Sequence, residues 1–199
     1  NVGLFGVAST FSFYPGKNLG AYGDAGCILT NNDDLALKCR MYANHGALIK
    51  HEHKIEGINS RMDGIQAAIL NVKLKYINDW NEQRVCIANQ YFNSLKNIEQ
   101  IELPKVRKNT KHTFHLFVIR LDSRDKLMNF LKKHGVSTAL HYPTALPLLE
   151  AYKKQNNSVT DFKNAYKHQQ IILSLPIYPE LKKIDVDYVC SIIKQFYEK

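Results

Sequence analysis

The run FSFYPGKNLGAYGDAG, residues 11–26, holds one lysine, Lys17, among glycines, aromatic rings and small side chains. A lysine amine is a nucleophile only when neutral, and burial or a neighbouring cation favours that state. Glycines let the backbone approach a ligand closely and leave room for a flat ring. Ser12, five residues ahead of Lys17, offers a hydroxyl suited to a phosphate oxygen. An amine that can condense with an aldehyde, close in sequence to a phosphate-binding hydroxyl, is the set that pyridoxal phosphate requires. The same residues also suit a surface lysine on a plain β-turn, and the local chemistry alone leaves that alternative open.

Other chemistry-bearing residues read more simply. His51 and His53 are spaced i, i+2 in a polar loop with no third ligand nearby, so they are expected to be solvated and no metal site is expected. His45 follows a predicted helix and is read as a partner of its C-terminus. His115 opens a predicted strand, where core packing competes with a cleft position. Asp24 suits a turn, and Trp80 with its neighbouring tyrosines suits a packed helix face. The four cysteines, Cys27, Cys39, Cys86 and Cys190, are too dispersed for a zinc framework or a disulfide scaffold, which points to reduced thiols in the cytoplasm. The net charge of +9 comes from lysines scattered over predicted helix faces and loops, without a nucleic-acid-binding motif. Such a surface suits anionic small molecules, and nucleic acid is not an expected partner. No apolar run has the length of a membrane span, so no membrane association is expected. The N-terminus is apolar but lacks a starting Met, a basic leader and a cleavage site, and reads as the middle of a longer protein.

These residues need elements to place them. Residues 11–14 and 26–30 read as short strands flanking the Lys17 turn. Asn31–Asp34 offers N-cap chemistry for a helix through residue 43, with Gly46 as its stop. Residues 47–58 read as a mobile loop. A long helical pattern runs from Ser60 to about Leu95, with Ile65, Ile69, Leu70, Leu74 and Ile77 in period, and its length predicts a bend or a link between domains. Composition shifts around Pro104, which places a domain boundary at 97/98. Beyond it, HTFHLFVIRL and VSTALHYP read as strands, the segment after Ser123 as a helix stopped by Gly135, and residues 161–172 and 185–198 as helices. Strands alternating with helices predict an α/β or α+β layer.

The segment SFYPGKNLGAYGDAG resembles the cofactor-lysine segment of the DegT/StrS (DegT/DnrJ/EryC1/StrS) sugar aminotransferases. The resemblance continues through CILTNNDDLALKCRMYANHG, GINSRMDGIQAAIL, HLFVIRL, HGVSTALHYP and LSLPIYPEL, in the family's order, and covers essentially the whole chain. It implies an α/β fold of the fold-type-I, aspartate-aminotransferase-like class. Residues 1–97 would end the large pyridoxal-phosphate domain with a linking helix, and 98–199 would form the C-terminal small α/β domain. It implies a homodimeric, pyridoxal 5'-phosphate-dependent transfer of an amino group from an amino acid, glutamate, to a nucleotide-linked keto-sugar in polysaccharide or O-antigen biosynthesis. Lys17 matches the lysine that holds the cofactor covalently. Ser12 matches a cofactor-phosphate contact. Asn59 matches an asparagine that crosses to the partner subunit's cofactor phosphate, and Arg61 a position that reaches substrate from that same partner. His141 and Tyr142 match a loop lining the sugar-nucleotide site. Family members are about twice this length, as the resemblance implies, and the other half would carry the ring-stacking side chain, a phosphate loop and the Asp that keeps the pyridinium nitrogen protonated. The alternative is a truncated, non-catalytic remnant or interaction module of such an enzyme.

Overall fold

The computed structural model describes residues 3–198. They form two compact units that divide between Asn78 and Asp79. That division precedes the boundary expected at 97/98. The intervening helix turns Ile87, Ala88, Tyr91 and Leu95 into the core of the second unit, whereas the composition shift marks only the loop that follows it.

The first unit begins with an antiparallel ribbon, β1 (Ser9–Ser12) and β2 (Gly26–Leu29), in the register Ser9↔Leu29 and Ser12↔Gly26. Helix α1 (Asp33–Ala43) starts where the Asn32 side chain accepts from the Leu35 amide at 2.9 Å, the expected N-cap. It ends where Gly46, at φ +80°, returns its amide to the Met41 carbonyl at 2.8 Å. A Cβ on Gly46 would lie 1.6 Å from the Ile55 carbonyl oxygen, so this position accepts glycine alone. Residues 47–58 close on the end of α1: Lys54 donates to Gly46 and Ile58 to Tyr42, both at 2.8 Å. The long helical pattern is interrupted at residues 75–76 and yields α2 (Gly64–Leu74) and α3 (Ile77–Leu95). Buried apolar side chains in the first unit are few among the described residues: Ala21, Ala47 and Leu70.

The second unit contains the main core. β3 (Phe117–Arg120) alternates, with Phe117 and Ile119 buried. It pairs antiparallel with β4 (Ile172–Leu175), Phe117 opposite Leu175. Glu102 and Ala139 each add one bridge to this ribbon. The expected strand over VSTALHYP is therefore reduced to a single bridge, Ala139 to Ser174. The sequence expectation also missed β4, whose short run ILSL is buried without alternation and leads into Pro176. Helix α4 (Arg124–Lys133) buries Leu127 and Leu131, one helical turn apart. Ser123 takes its N-cap position without a side-chain cap bond. Two 3₁₀ turns, Leu146–Leu148 and Glu150–Gln155, lead to α5 (Lys163–Ile171). Helix α6 (Lys183–Tyr197) buries Val186, Val189, Cys190 and Ile193, an i, i+3, i+4, i+7 stripe. Burial pushes the Cys190 thiol up to about 11 and lifts the Tyr91 phenol above the usual phenol range. All four cysteines are free.

Candidate active site

Lys17 closes a tight turn. Its amide donates to the Tyr14 carbonyl at 2.8 Å, with Pro15 and Gly16 at the corners. The turn leaves the end of β1, and the chain then folds back over it. Phe13 donates to Ala25 at 2.8 Å, and Ala21 donates to Phe13 at 2.7 Å. The return is close: a Cβ on Gly20 would lie 2.3 Å from the Pro15 carbonyl oxygen. The glycine at 20 thus lets the loop pack on itself, whereas a Cβ on Gly16 would touch only the Tyr14 ring at 3.9 Å.

Two side chains of α2, absent from the sequence expectations, hold the returning arm. Gln66 accepts from the Tyr22 amide at 2.8 Å, and Lys73 Nζ donates to the Gly20 carbonyl at 2.5 Å. The Lys73 ammonium also stands 5.0 Å from the centre of the Tyr22 ring. Residues 66 and 73 are two turns apart on one helix face, a spacing that could have marked them.

Lys17 is half-buried, and among the described residues its side chain has no ion pair or hydrogen bond. An amine fixed by its backbone and committed to no carboxylate is available to a ligand. Ser12, at the end of β1, is exposed, and its Oγ accepts from the Tyr14 amide at 3.3 Å, which leaves its hydroxyl hydrogen to donate outward. These features fit the aldehyde and phosphate of pyridoxal phosphate: the amine could condense with a carbonyl carbon, and the hydroxyl could donate to a phosphate oxygen.

Asn59 and Arg61 are brought together. Arg61 Nε donates to Asn59 Oδ1, and its Nη1 donates to Asn44 Oδ1, both at 3.2 Å. Asn44 also bridges to Asn59 through the backbone. Asn44, another residue the sequence reading missed, thereby positions both. The helical pattern that starts at Ser60 in the sequence becomes a helix only from Gly64, so Arg61 lies ahead of α2, and Asp63 takes the N-cap position without a side-chain cap bond. His53 is not simply solvated: its Nδ1 lies 2.8 Å from the His45 carbonyl. No cluster of three or more His, Cys, Asp or Glu side chains able to hold a metal occurs among the described residues.

His141 and Tyr142 lie in the second unit, after the Ala139 bridge. His141 Nδ1 is 2.8 Å from Ser174 Oγ, and its ring meets the Tyr142 ring edge-on at 5.6 Å. Tyr142 is largely exposed.

Comparison with known proteins agrees along the whole chain. The chain is 42% identical over 198 residues to a pleiotropic regulatory protein of Geobacillus stearothermophilus, covering 98% of this chain and 53% of that protein. It is 35% identical over 198 residues to dTDP-3-amino-3,4,6-trideoxy-alpha-D-glucose transaminase of Streptomyces venezuelae, covering 100% and 52%. Among solved structures, S. venezuelae DesV in complex with a ketimine intermediate matches with a TM-score of 0.94 at 35% identity, covering 98% and 53%. NtdA from Bacillus subtilis with bound cofactor PMP matches with a TM-score of 0.88 at 30% identity, covering 100% and 47%. The chain spans about half the length of the relatives it matches. These superpositions bear out the fold-type-I aminotransferase expectation. With the match of the family model to residues 1–194, they show that the chain belongs to the DegT/DnrJ/EryC1/StrS aminotransferase family.

Proposed function

We propose that this chain carries the cofactor-lysine segment and the C-terminal domain of a pyridoxal 5'-phosphate-dependent sugar aminotransferase. The substrates on this reading are an amino acid donor, glutamate, and a nucleotide-linked keto-sugar of a cytoplasmic polysaccharide or O-antigen route. The observation that carries the reading is Lys17: a half-buried amine on a pinned turn, free of ion pairs among the described residues, within a segment matched by the family model. The names of relatives acting on dTDP- and UDP-linked sugars support the substrate class. The net charge of +9 suits a diphosphate-bearing ligand.

When bound, the cofactor supplies an electron sink that makes a proton on the adjoining substrate carbon labile. Lys17 Nζ holds the cofactor between turnovers. Lys17 Nζ, when not bonded to the cofactor, would take a proton from that substrate carbon as a general base and give the same proton up again as a general acid. Ser12 Oγ would donate to the phosphate and hold that end of the cofactor. Arg61 spends two of its five N–H donors on Asn44 and Asn59, so the remaining donors are oriented for an anionic group. In the proposed homodimer, Asn59 and Arg61 serve the partner's site. The linking stretch that ends the large domain runs to residue 97, and its helix α3 packs Ile87, Tyr91 and Leu95 into the second unit's core. Residues 98–199 complete the small domain, where His141 and Tyr142 face the sugar nucleotide.

A second reading, a non-catalytic interaction module, is favoured by one observation: two relatives are named as a pleiotropic regulatory protein and a sensory transduction protein. Mass spectrometry after incubation with pyridoxal phosphate, glutamate and a UDP- or dTDP-linked keto-sugar separates the two. The aminotransferase reading expects an aminated sugar and 2-oxoglutarate, with a loss of roughly 10²–10⁴-fold or more in Lys17→Ala. Equal yields from the chain and Lys17→Ala favour the module.

A further inference from the structure

We propose that Ser174 is a positioning residue that fixes the tautomer of His141, so that the imidazole presents an N–H donor at Nε2. Ser174 lies in the middle of the second unit's core ribbon and is 4% exposed. Its backbone holds the approach to His141 by two bonds: its amide donates to the Ala139 carbonyl at 2.8 Å, and the Ala139 amide donates to its carbonyl at 3.2 Å. Two residues on, His141 Nδ1 falls 2.8 Å from Ser174 Oγ. Among the described residues this imidazole is the one hydrogen-bond partner of that hydroxyl.

That single partner sets the direction of the bond. A hydroxyl has one hydrogen and two lone pairs. In a buried position, an unmet hydrogen leaves a donor without compensation, whereas an unused lone pair remains on an oxygen that is already bonded. Ser174 therefore donates to Nδ1. A neutral imidazole that accepts at Nδ1 carries its hydrogen at Nε2. The Tyr142 ring stands edge-on to the imidazole at 5.6 Å. His141 then meets its ligand as a donor, and the group it recognises is an oxygen acceptor rather than an ammonium.

The consequence for recognition rests on the proposed reading of His141 as a substrate-facing residue; the tautomer does not. Long-range proton–nitrogen NMR correlation of the imidazoles, recorded on this chain well above the ordinary histidine pKa, tests it. The His141 signals are assigned by their loss in His141→Gln. Wild type is expected to show a bare Nδ1 and a protonated Nε2. Ser174→Ala is expected to move His141 toward a mixture of tautomers, and Ser174→Thr to restore the wild-type pattern. A wild-type His141 protonated at Nδ1, or one whose tautomer is unchanged in Ser174→Ala, overturns the proposal. Failure of cofactor labelling at Lys17 would overturn the functional reading and leave the NMR result standing, so the two can fail separately.

Discussion

At the scale of single residues, Lys17 is defined by what holds its backbone and by what its side chain lacks. Its turn is closed by its own amide, and its amine is left uncommitted among the described residues. Two glycines near it make opposite demands. Gly20→Ala places a methyl 2.3 Å from the Pro15 carbonyl oxygen, and the loop must open to admit it. Overpacking of this kind costs about 1–3 kcal/mol. We expect the Ala21 amide, bonded to Phe13 at 2.7 Å, to exchange its hydrogen with solvent faster by a factor commensurate with that cost. Gly16→Ala meets only the edge of the Tyr14 ring at 3.9 Å and should leave exchange at Ala21 nearly unchanged. Equal effects from the two substitutions would contradict the close return of the loop.

At the scale of elements, the amphipathic patterns were legible and the isolated contacts were not. The helix expected from residue 185 and the Asn32 cap are both present, whereas of the period named over residues 65–77 only Leu70 is buried, and Ile65 and Leu74 are exposed. The Lys17 turn was visible because Pro-Gly between two apolar runs is a turn signal with a mechanism. Gln66, Lys73, Asn44 and Ser174 were not singled out. Each acts through one long-range bond, and a lone polar residue on a helix or in a four-residue strand has no periodic signature. The exchange of one expected strand for another has the same origin: Ile172–Leu175 is too short to tell from a helix end, and residues 136–142 keep only their Ala139 bridge. Helix α6 also carries a pH prediction. Burial holds the Cys190 thiol at about 11, above its unfolded range, so the folded state keeps a proton that the unfolded state gives up. Stability from this group is complete below the unfolded thiol pKa and declines as the pH rises through about 11. Urea midpoints measured across that window should fall for wild type and fall less steeply for Cys190→Ala, whose baseline is lower because of its cavity. Parallel slopes would contradict the burial argument.

At the scale of the molecule, the two units are unequal. The large apolar cluster lies entirely in the second, from Ile87 to Ile193. The first leaves Phe5 at 90%, Ile65 at 69% and Val72 at 59% exposure. Two independent compact units of these lengths would together expose about 11,500 Å² by the usual size scaling. The chain exposes 14,187 Å². We therefore expect slow amide exchange in β3, β4 and α6, fast exchange through β1, β2 and α1, and concentration-dependent association that covers the apolar surface. A monodisperse monomer that unfolds in one cooperative step, with uniform protection, would contradict this.

The central claim is that the Lys17 amine is the cofactor's attachment point. Its most direct test is to add pyridoxal phosphate to the purified protein, reduce with borohydride, and map the modified peptide. The account predicts label confined to Lys17 in the peptide around YPGKN, and its loss in Lys17→Ala. Label scattered over surface lysines, or label that survives Lys17→Ala, would contradict it.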